Sequence, residues 1–475
     1  MTEFETVVGL EIHAELATNS KAFCGCEAVF GKEPNCVVCP ECMGLPGALP
    51  VINRKIVELA VKAGISFNCH INKFSSFDRK NYCYPDLPKA YQITQYFHPI
   101  CVGGYVPVGE KKYPLERIHI EEDAGKLTHL EKENVSLADY NRCGLPLIEI
   151  VSAPVLKSGK EAADFARQVA LTLKYTGVCN CRMEKGNLRC DVNISVKKKG
   201  ETALGTRTEI KNLNSFRAVE HAVELESKRQ IDLILKGESV KRQTLNFNDL
   251  KGTLTPMRQK EELADYRYFP EPDLPPVCLS DYFINCIKAS MPELPRQKEK
   301  RYTEVYNLSL EDARQIINNP FTATLFEAAA CNTDNISALV GMINTELPRI
   351  FKNLKNKPFL LTAEMLADIC NMLDCGEINM LSAKELIKLT CETGQNPKEV
   401  AEKRGMLQET DEEKIITAVK TVINANPKAV NDYLSGGTKV FGFLMGQTAK
   451  LMGPSANPKI IKRMLEEALK NAHKN

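Results

Sequence analysis

The 475-residue chain has almost no net charge, no long apolar run and no internal repeat. Lys and Arg number 62 against 60 Asp and Glu, a balance of +2. That excludes a strongly basic, histone-like binder, although a basic patch on one domain would still suit a nucleic-acid partner. No stretch approaches the roughly 18–20 apolar residues of a membrane span. The first residues, Met1-Thr2-Glu3-Phe4-Glu5, are acidic and lead straight into a strand-like pattern. A secretory leader is therefore not expected, and a cytoplasmic location is. A Walker loop is also missing. Gly104-Tyr105-Val106-Pro107-Val108-Gly109-Glu110-Lys111 lacks the Gly-Lys-Ser/Thr ending, so a nucleotide would have to be held by a sheet face and a metal ion.

What is present reads as a soluble globular chain of about three domains. Up to about residue 290 the sequence is rich in β-type alternation and Gly/Pro turns. Helical spacing interrupts it between Ser152 and Tyr175, and again after the cap pair Asn214-Ser215 towards Ile231. Prolines from Pro270 to Pro276 mark a domain exit. Beyond Pro295 short helices are expected at Leu310–Ile317, Ala323–Ala330, Ile336–Met342 and Ala383–Leu389. A second junction is expected between Gln395 and Leu407. The tail is helical again, interrupted at Gly436-Gly437, Gly446 and Gly453-Pro454, and closes with Lys459–Lys470.

In a reducing compartment the 18 cysteines should remain thiols. Cys24-Gly25-Cys26 and Cys39-Pro40-Glu41-Cys42 form two close pairs that can supply four ligands to a tetrahedral zinc ion. Such a site is structural, because four thiolates leave no open position. Cys36 makes an overlapping Cys-x-x-Cys with Cys39, and the plain alternative is a group of buried small residues. Cys179-Asn180-Cys181 has no second pair nearby.

Four strand-like stretches carry one charged face. Val8, Leu10, Ile12, Ala14 and Leu16 alternate with Gly9, Glu11, His13 and Glu15. Leu188–Val196 sets Arg189, Asp191, Asn193 and Ser195 opposite an apolar set. Gly205–Lys211 presents Arg207, Glu209 and Lys211, and Arg117–Asp123 ends in three acids. Each alone is an ordinary solvated sheet face. Together, oxygen ligands beside Arg and Lys suit Mg²⁺ with phosphate. His119 and His129 read as satisfied histidines without a ligand role. Asp78–Gln92 mixes bases with aromatics and reads equally well as a nucleic-acid stacking platform or a proline-rich structural loop.

These stretches together resemble the B subunit of the tRNA-dependent amidotransferases. The likeness runs through Val8–Leu16, Cys39–Gly47, Arg79–Gln95, Glu121–Lys126, Asn141–Ser152, Gly205–Arg217 and Asp265–Leu274. It implies an α+β fold: a large mixed or antiparallel-sheet cradle over 1–293, a helical domain over 294–405 and a small YqeY-like tail over 406–475. It implies that the cradle uses ATP and Mg²⁺ to phosphorylate the side-chain carboxylate of Glu-tRNA(Gln) or Asp-tRNA(Asn), after which ammonia displaces phosphate. An amidase-family A subunit would supply the ammonia and a small C subunit would complete a heterotrimer. By the same likeness the catalytic residues fall on Glu11, His13, Glu122, Asp191 and Glu209, with Glu11, His13 and Glu122 as magnesium ligands. Arg207 and Lys211 would contact phosphate, Lys89 would line the ammonia route, and Lys459, Lys462 and Arg463 would meet tRNA.

Nothing in the chain resembles the amidase Ser-Ser-Lys machinery, so glutamine hydrolysis is expected on the partner. The chain departs from the family at Arg242-Gln243-Thr244-Leu245, where an acid and a base are absent, and at Val155. Two other readings use the same residues: a non-catalytic, zinc-containing tRNA-binding adaptor, and a thiol redox or metal-hydrolase protein built on the cysteines.

Overall fold

The computed structural model describes residues 3–130, 133–259, 266–354, 358–408, 412–434, 439–453 and 456–472. Asp265, the Gly436-Gly437 pair and Pro454 lie outside these. The described residues form two compact units, Met1–Pro295 and Arg296–Asn475.

The first unit is built on a ten-stranded mixed sheet: β1 (Phe4–Glu15), β2 (His70–Ile71), β3 (Cys101–Val102), β4 (Tyr105–Val108), β5 (Lys111–Glu122), β6 (Pro146–Ser152), β7 (Leu188–Lys198), β8 (Thr208–Leu213), β9 (Gln243–Asn248) and β10 (Thr253–Gln259). Their order is β10-β9-β8-β7-β1-β6-β5-β3-β2, with β4 paired to β5. The pair β8–β9 is parallel, because the helix Phe216–Leu235 carries the chain back across the sheet between them. Here and in the helical second unit, the structure is the α+β arrangement expected from sequence.

The alternation of β1 works as read. Val8, Leu10, Ile12 and Ala14 lie in the main core, leaving Glu11 and His13 on the other face. Against the apolar face pack the helices Gly159–Tyr175 and Phe216–Leu235, through Phe165, Ala166, Val169, Val219 and Ala222. Their starts are fixed by Ser158 and Ser215, whose side chains accept from the amides of Glu161 and Ala218. The helix expected from Ser152 begins only at Gly159, because Ser152–Leu156 is held to the sheet: Leu10 N–H donates to Ser152 Oγ and Val8 pairs with Leu156.

In the second unit the expected helix Leu310–Ile317 is present with those bounds. Ile336–Gly341 runs on through a π turn, Met342–Glu346, into Leu347–Leu354. The expected junction after Gln395 holds a helix, Pro397–Lys403, capped by Asn396. The last four helices, between Glu412 and Ala472, share their own core of Ile415, Val419, Leu444, Ile461 and Leu465. The expected boundary at 405/406 falls inside this unit.

Candidate functional site

Register assembles the site row by row. In antiparallel pairing, His13 lies opposite Arg189 on β7 and Glu149 on β6, and Glu149 lies opposite His119 on β5. The next row on this face sets Glu11 opposite Asp191, and the row beyond it sets Asn193 opposite Gly9 and Glu209. Directly opposed residues have Cβ atoms only about 5 Å apart, so residues distant in sequence become neighbours on one face.

Two ligand sets result, each with its three donor atoms within 4.8 Å of one another: Glu11, Asp191 and Glu209; and His13, Glu121 and Glu149. In the first, Lys211 Nζ spans Asp191 at 2.8 Å and Glu209 at 3.0 Å. Thr244 Oγ1 donates to Glu209 at 3.0 Å, so the departing segment Arg242–Leu245 reaches the site through Thr244. Glu11 is held by Asn193 Nδ2 at 2.9 Å. Burial, then the charges of Glu149, Asp191 and Glu209, raise the Glu11 carboxyl above its ordinary value. An all-oxygen set whose three carboxylates share a single ammonium, that of Lys211, fits a hard cation.

In the second set, His13 Nε2 lies 3.3 Å from Glu121 and 3.5 Å from Glu149. His119 Nε2 is 3.3 Å from Glu149, and its buried Nδ1 has no hydrogen-bond partner among the described residues. Burial alone would lower the His13 imidazole, but hydrogen bonds to Glu121 and Glu149 hold it well above its usual range. Against the upward pull of burial, His13 keeps Glu121 low, and His119 followed by His13 keeps Glu149 well below its ordinary value. His119, read from sequence as a plain histidine, is a member of this cluster. His129 keeps that reading: it is exposed and contacts Ser136.

Both sets line one cavity of about 680 Å³. Lys80, Arg117, Lys211 and the exposed Arg207 bring positive charge to it. Tyr82, Tyr96, Tyr266 and Tyr268 wall it, with Tyr96 and Tyr268 stacked at 4.0 Å. The segment 78–92 is therefore an ordered part of the cavity. Its strands Asp78–Asn81 and Tyr91–Thr94 pair, sending Lys80 and Tyr82 to the cavity, while Arg79 makes a bidentate bond with Glu271.

Glu122 requires a correction. Sequence reading placed it with Glu11 and His13 as a magnesium ligand, but it belongs to neither set. Successive residues of a strand point to opposite faces, so Glu121 and Glu122 at the end of β5 diverge, and Asp123 follows just beyond the strand. Glu121 reaches His13, Glu122 bonds Lys89 and accepts from Ile93 N–H at 2.9 Å, and Asp123 pairs with Arg189 at 2.9 Å. Glu121 and Glu149 are the ligand candidates that sequence reading missed. Glu121 is in phase with His119 on β5, and that phase was the available signal.

The thiol cluster also assembles. Cys24, Cys26, Cys39 and Cys42 bring their sulfurs within 4.8 Å of one another. Cys39 and Cys42 Sγ are 3.7 Å apart, close to the about 3.8 Å separation of sulfurs bound tetrahedrally at 2.3 Å. Cys39 N–H points at Cys42 Sγ and Lys21 Nζ lies 3.7 Å from it. Hydrogen bonding from Cys24, with Lys21 nearby, lowers the Cys42 thiol to about 5. Four converging thiols with a buried ammonium beside them fit zinc. Cys36 is exposed and bonds Glu33 O, which leaves it outside the tetrad.

In the second unit Lys459, Lys462 and Arg463 are exposed on the helix Pro458–Ala472, and Arg463 pairs with Glu412. Among the described residues no helix is long and apolar enough to cross a membrane.

The chain matches the GatB/GatE catalytic domain over residues 6–285 and the GatB domain over 324–469. It is similar to proteins named as the B subunit of aspartyl/glutamyl-tRNA(Asn/Gln) amidotransferase. That of Caldicellulosiruptor saccharolyticus is 47% identical over 476 residues, covering 98% of this chain and 99% of that protein. That of Thermoanaerobacter sp. strain X514 is 46% identical over 475 residues, with the same coverage. That of Clostridium kluyveri is 44% identical over 476 residues, again with 98% and 99% covered.

Proposed function

The chain belongs to the GatB family of tRNA-dependent amidotransferase subunits, and from that premise we propose that its cradle activates a carboxylate borne by tRNA. The carrying observation is that both ligand sets line one shared cavity.

A carboxylate does not react with ammonia at neutral pH, so it must first gain a leaving group. An oxygen of the acceptor's side-chain carboxylate attacks the γ-phosphorus of ATP, and ADP departs. Ammonia nitrogen then attacks the acyl carbon, the carbon–oxygen bond to phosphate breaks, and one proton leaves the nitrogen. Glu11, Asp191 and Glu209 would hold one Mg²⁺, and His13, Glu121 and Glu149 could hold a second. When bound, Mg²⁺ supplies neutralisation of phosphoryl-oxygen charge. Lys211, Arg207, Arg117 and Lys80 offer fixed cations to the same oxygens, in a cavity whose tyrosines exclude water.

The ammonia comes from an amidase-family A subunit, with a small C subunit completing the heterotrimer, because this sequence holds no recognisable glutaminase machinery. Lys89 would line the entry route. Cys24, Cys26, Cys39 and Cys42 hold structural zinc. The cradle corresponds to 1–293, a helical domain to 294–405, and the tail, 406–475, binds tRNA through Lys459, Lys462 and Arg463. The cytoplasm is where these substrates meet. A non-catalytic adaptor would have no use for the two ligand sets.

Reconstitution with the amidase partner and mischarged tRNA tests the reading. Glu11→Gln should lower ATP-dependent amide formation at least about 100-fold, with tRNA affinity within about twofold of the parent. Full activity of Glu11→Gln would overturn the assignment.

A further inference from the structure

The four-cysteine module and the Lys89–Glu122 pair are built against one another. The turn after the second thiol pair is closed by Met43 N–H to Cys39 O, Gly44 N–H to Glu41 O, and Leu45 N–H to Pro40 O. This fixes Gly44 in the left-handed region at φ +65, against the stem of Lys89. A Cβ on Gly44 would overlap Lys89 Cγ and stand 3.3 Å from Lys89 Cβ and Cδ. On the other side, Gly144 at φ +79 lies between the module and the acid. A Cβ there would meet Cys42 Cβ at 3.5 Å, Lys21 Cδ at 3.6 Å and Glu122 Oε2 at 3.8 Å. Gly144 is tied to the module by Ala22 N–H to its carbonyl at 2.8 Å, and to the end of β5 by its own N–H to Asp123 O at 3.0 Å.

Lys89 needs such a wall. Its side chain is almost wholly buried, with the ammonium paired to Glu122 and 5.4 Å from the centre of the Tyr91 ring. The next residue, Ala90, is held at φ +60, a conformation that costs a non-glycine residue about 1 kcal/mol or more and persists only where surrounding contacts impose it. Between module and pair lies a cavity of only about 60 Å³, so a displaced Lys89 stem has little space within it. The module itself has little apolar core. Its segment 24–53 is turns and bends in which Cys42 is the one buried hydrophobic side chain among those described, so an ion on the sulfurs is its natural clamp.

We infer that the four-cysteine module is the positioning wall of the Lys89–Glu122 pair, so that the bound metal determines where the Lys89 ammonium stands. The inference rests on the zinc reading of the tetrad and on Lys89 lining the ammonia route. Loss of the ion frees the turn 39–45, Gly44 recedes and the ion pair opens. Lys89 and Glu122 are the pair being positioned, while Gly44 and Gly144 act through them.

The test is amine labelling of the purified full chain, with modification at Lys89 followed by mass spectrometry and exposed Lys55 as internal reference. Three samples are compared: zinc-loaded chain, chain stripped by a chelator, and Gly44→Ala. Stripping and Gly44→Ala should each raise Lys89 labelling at least about tenfold, as expected for a locally opened site, with Lys55 unchanged. The stripped parent sequence keeps the test decisive if Gly44→Ala folds poorly. Unchanged Lys89 labelling in both samples overturns the inference, and a chain that takes up no zinc overturns its metal half. With the amidase partner, Gly44→Ala should lose glutamine-fed amide formation about tenfold and keep ammonium-fed formation within about twofold. Equal loss of both, with Lys89 exposed, leaves the wall standing and overturns the ammonia-route role of Lys89.

Discussion

Glu121 and Glu122 are adjacent, yet a strand's two-residue period sends them to different chemistry. Glu121 enters the His13 cluster and Glu122 closes on Lys89. Glu121→Gln should therefore reduce amide formation with either nitrogen source, by about 100-fold or more if it removes electrostatic stabilisation of the phosphoryl step. Glu122→Gln should fail chiefly with glutamine and retain most activity with ammonium salts. Steady-state rates with both donors on one mischarged tRNA decide between them, and equal defects would return Glu122 to the metal site. The acids at 11, 191 and 209 were legible on charged strand faces. The choice between 121 and 122 was not, because both lie in one acidic run and only the phase of β5 against β6 separates them.

At the scale of elements, strand pairing and local ion pairs do different work. The helix Pro320–Ala330 is tied to Pro295–Val305 by Glu327, which pairs with Lys298 at 2.6 Å, bonds Tyr302 Oη at 3.0 Å and also pairs with Arg301. Burial would raise the Glu327 carboxyl, but hydrogen bonds from Lys298 and Arg301 hold it below the ordinary 4.5. A carboxyl lowered on folding contributes stability that is complete above its unfolded value and lost as pH falls through its folded value. Glu327→Gln should thus cost about 1–2 kcal/mol at pH 7 and progressively less below pH 4.5. Denaturant unfolding at pH 7 and near pH 3 measures this, and a cost independent of pH would refute it. Helix starts were readable where a Ser or Asn cap precedes the run, as at Ser215 and Ser309. The π turn Met342–Glu346 was not, since its sequence continues the apolar spacing of the helix before it.

For the whole molecule, the tail offers a separate test. On the last helix Ile461, Met464 and Leu465 are buried in the tail core, so Lys459, Lys462 and Arg463 are turned outward by helical period alone. Replacing all three with Ala should weaken tRNA binding and flatten the plot of log affinity against log salt by up to about three units. Amide formation at saturating tRNA should hold within about twofold, since these residues are remote in sequence from the cradle chemistry. An unchanged salt slope would show that the tRNA body binds elsewhere. The sequence by itself determined the change from strand-rich to helical texture near residue 290, the apolar and charged faces of β1, β5, β7 and β8, and the two thiol pairs, because side-chain period and close spacing are local properties. Tertiary structure alone decided that Glu149 and His119 join His13, that Glu122 turns away to Lys89, and that Gly44 bears on that lysine. Those outcomes follow from cross-strand register and from backbone contact between segments far apart in the chain, which no local pattern encodes.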